Sequence, residues 1–284
     1  MNTLDITKKI LRESGLSAKK AFGQNFLVDD YILEKIVEAG DITKEDIVIE
    51  IGPGLGNLTH YLLEKAKQVI AFEIDNDMIS ILNNRFEEGF QLEVLNIDIM
   101  KADLKSIIGD KKVKVIANLP YYITTPILFK LLEYTDNITD IVIMVQKEVA
   151  DRILAEPHSK DYGVLTINTN YICDVTRVVD VPNTSFIPAP NVTSSVIKLS
   201  INNDKFEIND ATLLKLLVKS AFAERRKKVV NSISNSTLLK LDKAEIIDIF
   251  HSLGFSENAR AEEISVEQFV NIANKLYEIK SRAN

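Results

Sequence analysis

The stretch from Ile47 to Ala66 limits the possible folds more than any other part of the chain. A run rich in β-branched residues, Ile47-Val-Ile-Glu-Ile51, passes without a break into Gly52-Pro-Gly-Leu-Gly56, and Asn57 or Thr59 then opens a helical stretch to about Ala66. A short, nearly continuous apolar run of this kind reads as a buried strand. Glycines placed directly after it let the backbone turn sharply and let a ligand approach the main chain where side chains would otherwise stand. Strand, glycine turn and helix in that order form the first half of a nucleotide-binding βαβ unit. The next strand, Val69-Ile-Ala-Phe-Glu-Ile74, carries Glu73 near its tip, where a carboxylate can accept hydrogen bonds from both hydroxyls of a ribose.

The alternation continues along the chain. A short helix is expected over residues 5–14, and another from Asp29 or Asp30 as N-cap to Gly40. Asp75 starts a helix with Met78, Ile79 and Leu82 inward, followed by strands near Gln91–Leu95, Val113–Ala117 and Ile141–Val145. Between the last two lies a helix from Thr125 or Pro126 to Tyr134, and a polar helix, Gln146–Ala155, comes after them. Residues 164–173 and 194–201 alternate in a pattern that predicts a closing antiparallel pair of strands. From about Asp204 only helices are expected. Asp210 opens one with Leu213, Leu214, Leu217 and Phe222 on a face, Gly254 stops one covering Lys243–Leu253, and Ser265-Val-Glu-Gln268 has capping-box spacing. The fold class that follows is α/β, a doubly wound sheet with a small helical domain after it. The expected division is 1–204, with an N-terminal helical arm 1–28, and 205–284.

Val115-Ile-Ala-Asn-Leu-Pro-Tyr121 is a strand that ends abruptly in polar and aromatic groups. Pro120 restricts Leu119 to an extended conformation and has no N–H, so the turn can present the Leu119 carbonyl beside the Asn118 side-chain oxygen. Tyr121 or Tyr122 adds a flat face. Two acceptors beside an aromatic plate suit an exocyclic amine on a planar heterocycle, although a capping Asn with packed tyrosines would look the same in isolation. Asp98, after its strand, is placed either to accept from an adenine amine or to cap a turn. Phe186, within Ser185-Phe-Ile-Pro-Ala-Pro-Asn-Val192, is either a second aromatic wall opposite Tyr121 or a plug in the core. The glycine turn reads G-x-G-x-G, with Asn57 where a nicotinamide-binding loop would have its third glycine. A pyrophosphate needs the helix N-terminus very close, whereas S-adenosylmethionine has no phosphate and needs only room for its amino-acid tail. The spacing favours the methyl donor over a nicotinamide cofactor.

The formal net charge, 34 − 41 = −7, argues mildly against a nucleic-acid partner, but the cations are unevenly distributed. Lys8, Lys9, Arg12, Lys19 and Lys20 crowd the N-terminus, and Lys215, Lys219, Arg225, Arg226, Lys227 and Lys228 crowd one late segment. Each cluster reads as a phosphate-contacting surface or as a solvated face. Cys173 is the one cysteine and His60, His158 and His251 are scattered, so neither a disulfide nor a metal site is expected. The N-terminus lacks an apolar segment of signal-peptide type, and no stretch approaches a membrane span, so a soluble cytoplasmic protein is expected.

Taken together, Phe22-Gly-Gln-Asn-Phe-Leu27, Glu50-Ile-Gly-Pro-Gly-Leu-Gly56, Glu73, Asp98, Asn118-Leu-Pro-Tyr121 and Phe186-Ile-Pro-Ala-Pro-Asn-Val192 resemble, in order and spacing, the ribosomal RNA adenine dimethyltransferases. The small-subunit, kasugamycin-sensitivity branch looks most similar, on Tyr122-Ile-Thr-Thr-Pro126 and on the Phe-x-Pro-x-Pro-x-Val stretch. The resemblance implies a Rossmann-like class I S-adenosylmethionine-dependent methyltransferase sheet with a small C-terminal helical domain. It implies that Asn25, Leu27, Gly52, Gly54, Glu73, Asp98 and Asn118 line the donor pocket. It further implies that Asn118, Leu119, Pro120, Tyr121 and Phe186 handle the adenine, and that Lys219, Arg225, Arg226, Lys227 and Lys228 contact RNA. The implied substrate is two adjacent adenosines in a hairpin loop near the 3′ end of 16S rRNA within the 30S particle, each methylated twice on the exocyclic nitrogen. The implied enzyme is a monomer without metal. A 23S-directed enzyme of the macrolide-resistance type and a non-catalytic ribosome-assembly factor are the alternatives.

Overall fold

The structure is a computed structural model that describes residues 1–16, 24–86, 91–224 and 227–283. Helix α1 (Thr3–Ser14) precedes a two-residue strand β1 (Phe26–Leu27) and helix α2 (Asp30–Ala39). Then β2 (Ile47–Ile51), α3 (Asn57–Lys65), β3 (Gln68–Phe72), α4 (Asn76–Arg85) and β4 (Leu92–Leu95) alternate. The pattern goes on through α5 (Leu104–Ile108), β5 (Val113–Asn118), α6 (Thr124–Leu131), β6 (Ile138–Gln146) and α7 (Lys147–Ile153). Helix α8 (Val164–Asn170), strands β7 (Cys173–Val181), β8 (Phe186–Ile187) and β9 (Ser194–Ile201), and helices α9 (Ala211–Ala221), α10 (Val229–Ser234), α11 (Lys243–Ser252) and α12 (Val266–Ala283) complete the described chain.

Local chemistry sets many of the boundaries. The side chains of Asp29, Asp75 and Asp210 accept from the first-turn backbones of α2, α4 and α9, at 3.4 Å from Ile32 N, 3.1 Å from Asp77 N and 3.0 Å from Leu213 N. Ser265 and Gln268 cap each other reciprocally at the start of α12, with the Ser265 N–H donating to Gln268 Oε1 at 2.8 Å and the Gln268 N–H to Ser265 Oγ at 3.2 Å.

The main sheet has the order β4-β3-β2-β5-β6-β9-β7. Strands β4, β3, β2, β5 and β6 run parallel, and β9 runs antiparallel to β6. Val48, Ile49, Val115, Ile116, Ile141 and Val142 are all fully buried, which is why their segments read as nearly unbroken apolar runs. The chain starts on β2, builds outward through β3 and β4, then returns to the other side of β2 for β5 and β6. The switch point of the sheet therefore lies between β2 and β5, and crevices for ligands form at the carboxyl ends of the strands there.

The chain separates into two compact units, Met1–Ala150 with Val175–Ile201, and Asp151–Asp174 with Asn202–Asn284. Asp151–Asp174 thus groups with the helical residues rather than with the sheet. Two expectations need correcting here. Residues 164–170 form α8 rather than a strand, and the strand preceding β9 is Cys173–Val181. Leu165 through Thr169 are all buried, so α8 has no exposed face to reveal a helical period, and its β-branched residues imitate a strand. The second correction is an addition: β1 and β8 form an antiparallel pair of their own, with Leu27 opposite Phe186.

Candidate active site

In the register of β2 with β5, Ile51 faces Ala117, so Gly52 and Asn118 leave the sheet side by side at the switch point. A cavity opens there, lined by both turns, by Asn25–Leu27, by Glu73 and Ile74, and by Ile97–Ile99. On one side stands the glycine turn. Gly52, Gly54 and Gly56 have φ of 68°, 56° and 79°, the left-handed region that disfavours other residues. A Cβ at Gly52 would meet nothing within 4 Å and would occupy the space above the turn. At Gly56 it would fall 2.7 Å from the Phe86 ring and 2.8 Å from Leu82, so helix α3 could not pack as closely with any larger residue.

Glu73 follows the end of β3 and is 7% exposed. Its Oε1 accepts from the N–H groups of Ile74 at 2.8 Å and Asp75 at 2.9 Å, and its Oε2 accepts from Gly54 N–H at 3.2 Å. Burial raises its pKa, and those three backbone donors oppose the rise. The carboxylate braces the glycine turn and keeps acceptor capacity toward the cavity, because two oxygens offer about four lone-pair sites. Asp98 also lines the cavity, and its Oδ1 accepts from Met100 N–H at 2.9 Å. The turn-capping reading of Asp98 is therefore correct for one oxygen. Ile74 and Ile97 are exposed apolar side chains beside these two acids. Sequence reasoning did not single them out; each lies next to an acid at a strand end, as in Glu73-Ile74.

Glu50 is a second group that sequence reasoning quoted only within a motif. It lines the cavity, is 1% exposed, and its Oε2 has no hydrogen-bond partner among the described residues. Burial pushes its pKa up to about 8, opposed by the nearby Thr59 hydroxyl and the charge of Arg85, with the charge of Glu73 acting in the same direction as burial.

On the other side stands the turn after β5. Asn118 ends the strand, and its Nδ2 donates to the Asn25 carbonyl at 3.3 Å, which leaves the side-chain oxygen as the group able to accept. Leu119 is buried, its N–H donating to the Met144 carbonyl at 3.3 Å, so the turn is anchored to β6. Pro120 then leads into a 3-10 turn, Tyr121–Ile123, and α6. Tyr121 lines the cavity and is held by a 2.6 Å hydrogen bond between its hydroxyl and that of the fully buried Ser194. Tyr122, also lining the cavity, is 63% exposed.

The N-terminal motif reaches this site through the β1–β8 pair. Asn25 and Leu27 line the cavity as the resemblance implies, whereas Phe22 and Gly23 lie outside the described residues. Phe186 does not form an aromatic wall here. It is 3% exposed and packs among Leu27, Leu33, Ile36 and Val196, because its pairing with Leu27 buries it in the core.

Of the basic cluster, Arg225 and Arg226 lie outside the described residues, as do Lys19 and Lys20. Lys219, Lys227 and Lys228 are exposed on the helical unit. Lys227 is ion-paired with Glu224. Lys228 forms a backbone bridge with Arg260, a further exposed cation that its distance in sequence concealed. Among the described residues no group of three or more His, Cys, Asp or Glu could hold a metal ion, and no helix is long and apolar enough to cross a membrane. Cys173 is buried, and burial pushes its thiol up to about 12.

The family model described as ribosomal RNA adenine dimethylase matches residues 15–278. A relative from Lachnoclostridium phytofermentans, ribosomal RNA small subunit methyltransferase A, is 42% identical over 274 residues, which cover 94% of each chain. A solved dimethyladenosine transferase from Plasmodium falciparum superposes with a TM-score of 0.78 at 31% identity, covering 88% of this chain and 96% of that one. The 23S rRNA methyltransferase ErmE superposes with a TM-score of 0.69 at 25% identity, covering 89% and 100%.

Proposed function

Because this chain belongs to the ribosomal RNA adenine dimethylase family, we propose that the glycine turn holds S-adenosylmethionine and that the Asn118 turn holds an adenine drawn out of ribosomal RNA. The chain is an rRNA adenine N6-dimethyltransferase. Its substrate is 16S rRNA, a reading that the small-subunit enzyme 42% identical to it favours over 23S rRNA. The family resemblance further suggests two adjacent adenosines near the 3′ end, each methylated twice, in the 30S particle.

The observation that carries this reading is the register of β2 with β5, which sets Gly52 beside Asn118. The residues fit the donor. Open space above Gly52 admits a ligand against the backbone, Glu73 offers acceptors for ribose hydroxyls, and Asp98 offers one for an adenine amine. Glu50 Oε2, without a hydrogen-bond partner among the described residues, can accept from the ammonium of an amino-acid tail, whose charge would draw the carboxyl toward its ionised form. S-adenosylmethionine, when bound, supplies a methyl group on a sulfonium, an electrophile that needs no metal.

An adenine amine is a poor nucleophile because its lone pair is delocalised into the ring. Accepting its two N–H groups on Asn118 Oδ1 and the Leu119 carbonyl favours a pyramidal nitrogen with a localised lone pair. Held in this way, the lone pair would be aimed at the methyl group of a donor seated over the glycine turn. The nitrogen becomes acidic on methylation and gives its proton to water. No histidine is required as a base. Stacking on Tyr121 offsets the few kcal/mol, roughly, of taking a base out of its stack. Lys219, Lys228 and Arg260 are suited to phosphates, whose contacts position an RNA without reading its bases.

Mapping dimethyladenosine on rRNA from a strain lacking this gene tests the reading. The expected result is its loss from 16S rRNA and its return when the purified protein and S-adenosylmethionine are added to undermethylated particles. Loss from 23S rRNA instead would move the substrate to the large subunit. Unchanged levels in both would overturn the enzymatic reading.

A further inference from the structure

Helix α1 buries two threonines, Thr3 and Thr7, and Thr7 is fully buried. Its hydroxyl accepts a 2.8 Å hydrogen bond from Asn57 Nδ2, whose second hydrogen goes to the Leu27 carbonyl at 2.9 Å. Asn57 Oδ1 accepts from Arg85 at 3.0 Å, and the same Arg85 nitrogen donates to the Leu55 carbonyl within the glycine turn at 2.6 Å. Both donors of the Asn57 amide and its oxygen are therefore engaged, by three different parts of the chain. Asn57, Leu27 and Leu55 line the cavity, whereas Thr7 and Arg85 do not. Ile10 and Leu11 of α1, and Leu16 just beyond it, pack against a cluster of Phe26, Leu55 and Met78. The residue at position 57 thus has a task unrelated to the glycine it replaces.

We propose that Thr7 is a positioning residue for the methyl donor: through Asn57 it fixes β1 and the glycine turn against each other, so that docking of α1 and occupation of the donor cavity support one another. The inference rests on the reading of the cavity as a donor site. When the Thr7 hydroxyl is absent, one Asn57 hydrogen is left buried without an acceptor, and the amide can regain one only by turning away from Leu27 or Arg85. Either movement displaces cavity-lining backbone. Thr7 itself is too remote to touch the donor, so any effect on donor affinity must pass through Asn57.

The test compares the full-length wild type with Thr7→Val, which keeps the shape and removes the hydroxyl, and with Thr7→Ser, which restores it. Calorimetric titration with S-adenosylhomocysteine should show affinity about tenfold weaker for Thr7→Val and close to wild type for Thr7→Ser, within the usual range of coupling between sites. In steady state the KM for S-adenosylmethionine should rise while kcat at saturating donor stays within about twofold. Wild-type affinity in Thr7→Val, or an equal loss in Thr7→Ser, would overturn the proposal. Should Thr7→Val fail to fold, Thr7→Ala removes the same hydroxyl and leaves every cavity-lining residue, Asn57 included, unchanged. Undiminished affinity in that variant would overturn the proposal as well. If the wild-type chain itself did not bind S-adenosylhomocysteine, the donor reading would fail and the inference with it.

Discussion

The two turns that meet at the switch point are built on opposite plans. The Gly52–Gly56 turn offers backbone and is braced from behind: Glu73 holds Gly54, Arg85 holds Leu55, and Phe86 and Leu82 fill the space against Gly56. The Asn118–Tyr122 turn offers side chains: Asn118, Leu119 and Tyr121 are tied to Asn25, Met144 and Ser194, while Tyr122 is left exposed. The donor of an rRNA methyltransferase is a small molecule that the protein must enclose by itself, so its side is organised in advance. The acceptor is a base carried on a large RNA, which brings much of its own positioning energy, so its side is left open. On the function proposed above, chemistry falls to the open turn and affinity for the donor to the braced one.

Separating these assignments gives the largest expected effect. Asn118→Ala should slow single-turnover methyl transfer by about 10²–10³-fold, the usual loss when one oriented hydrogen-bonding group is removed from a reacting centre. Its affinity for S-adenosylhomocysteine should stay within about threefold of wild type. A matched loss in both quantities would mean that the two turns act as one surface, and the contrast would break.

A smaller effect should appear on the braced side only. In the folded chain Glu50 holds its proton up to about pH 8, whereas an unfolded glutamate releases it near 4.5. Between those values the folded state binds more protons, so stability falls as pH rises through this window. Glu50→Gln removes that slope, and the variant should gain on wild type from pH 5 to pH 8 by about 3 kcal/mol in urea unfolding. Asn118→Ala should leave the slope in place. Parallel curves for Glu50→Gln and wild type would show that Glu50 ionises normally.

The parts of this arrangement that were legible in the sequence are those specified locally. The glycine turn follows its strand directly, and Asp29, Asp75, Asp210 and the Ser265–Gln268 pair cap helices within a few residues of themselves. What stayed hidden depends on contacts between distant residues. The β1–β8 pair has two residues on each side and lies across more than half of the chain, so no periodicity announces it, and without it Phe186 could be read as a cavity wall. Arg85 belongs to no motif and matters only because α4 brings it behind the turn. Helix α8 reads as a strand in the sequence because burial of Leu165–Thr169 removes the pattern by which helices are recognised.

The most direct measurement is the structure of the protein with S-adenosylhomocysteine and adenosine 5′-monophosphate bound together. The account predicts the thioether sulfur above Gly52–Gly56, the donor ribose on Glu73, and the nucleotide N6 within hydrogen-bonding distance of Asn118 Oδ1. A complex with either ligand outside the crevice between β2 and β5, or with N6 directed away from Asn118, would contradict it.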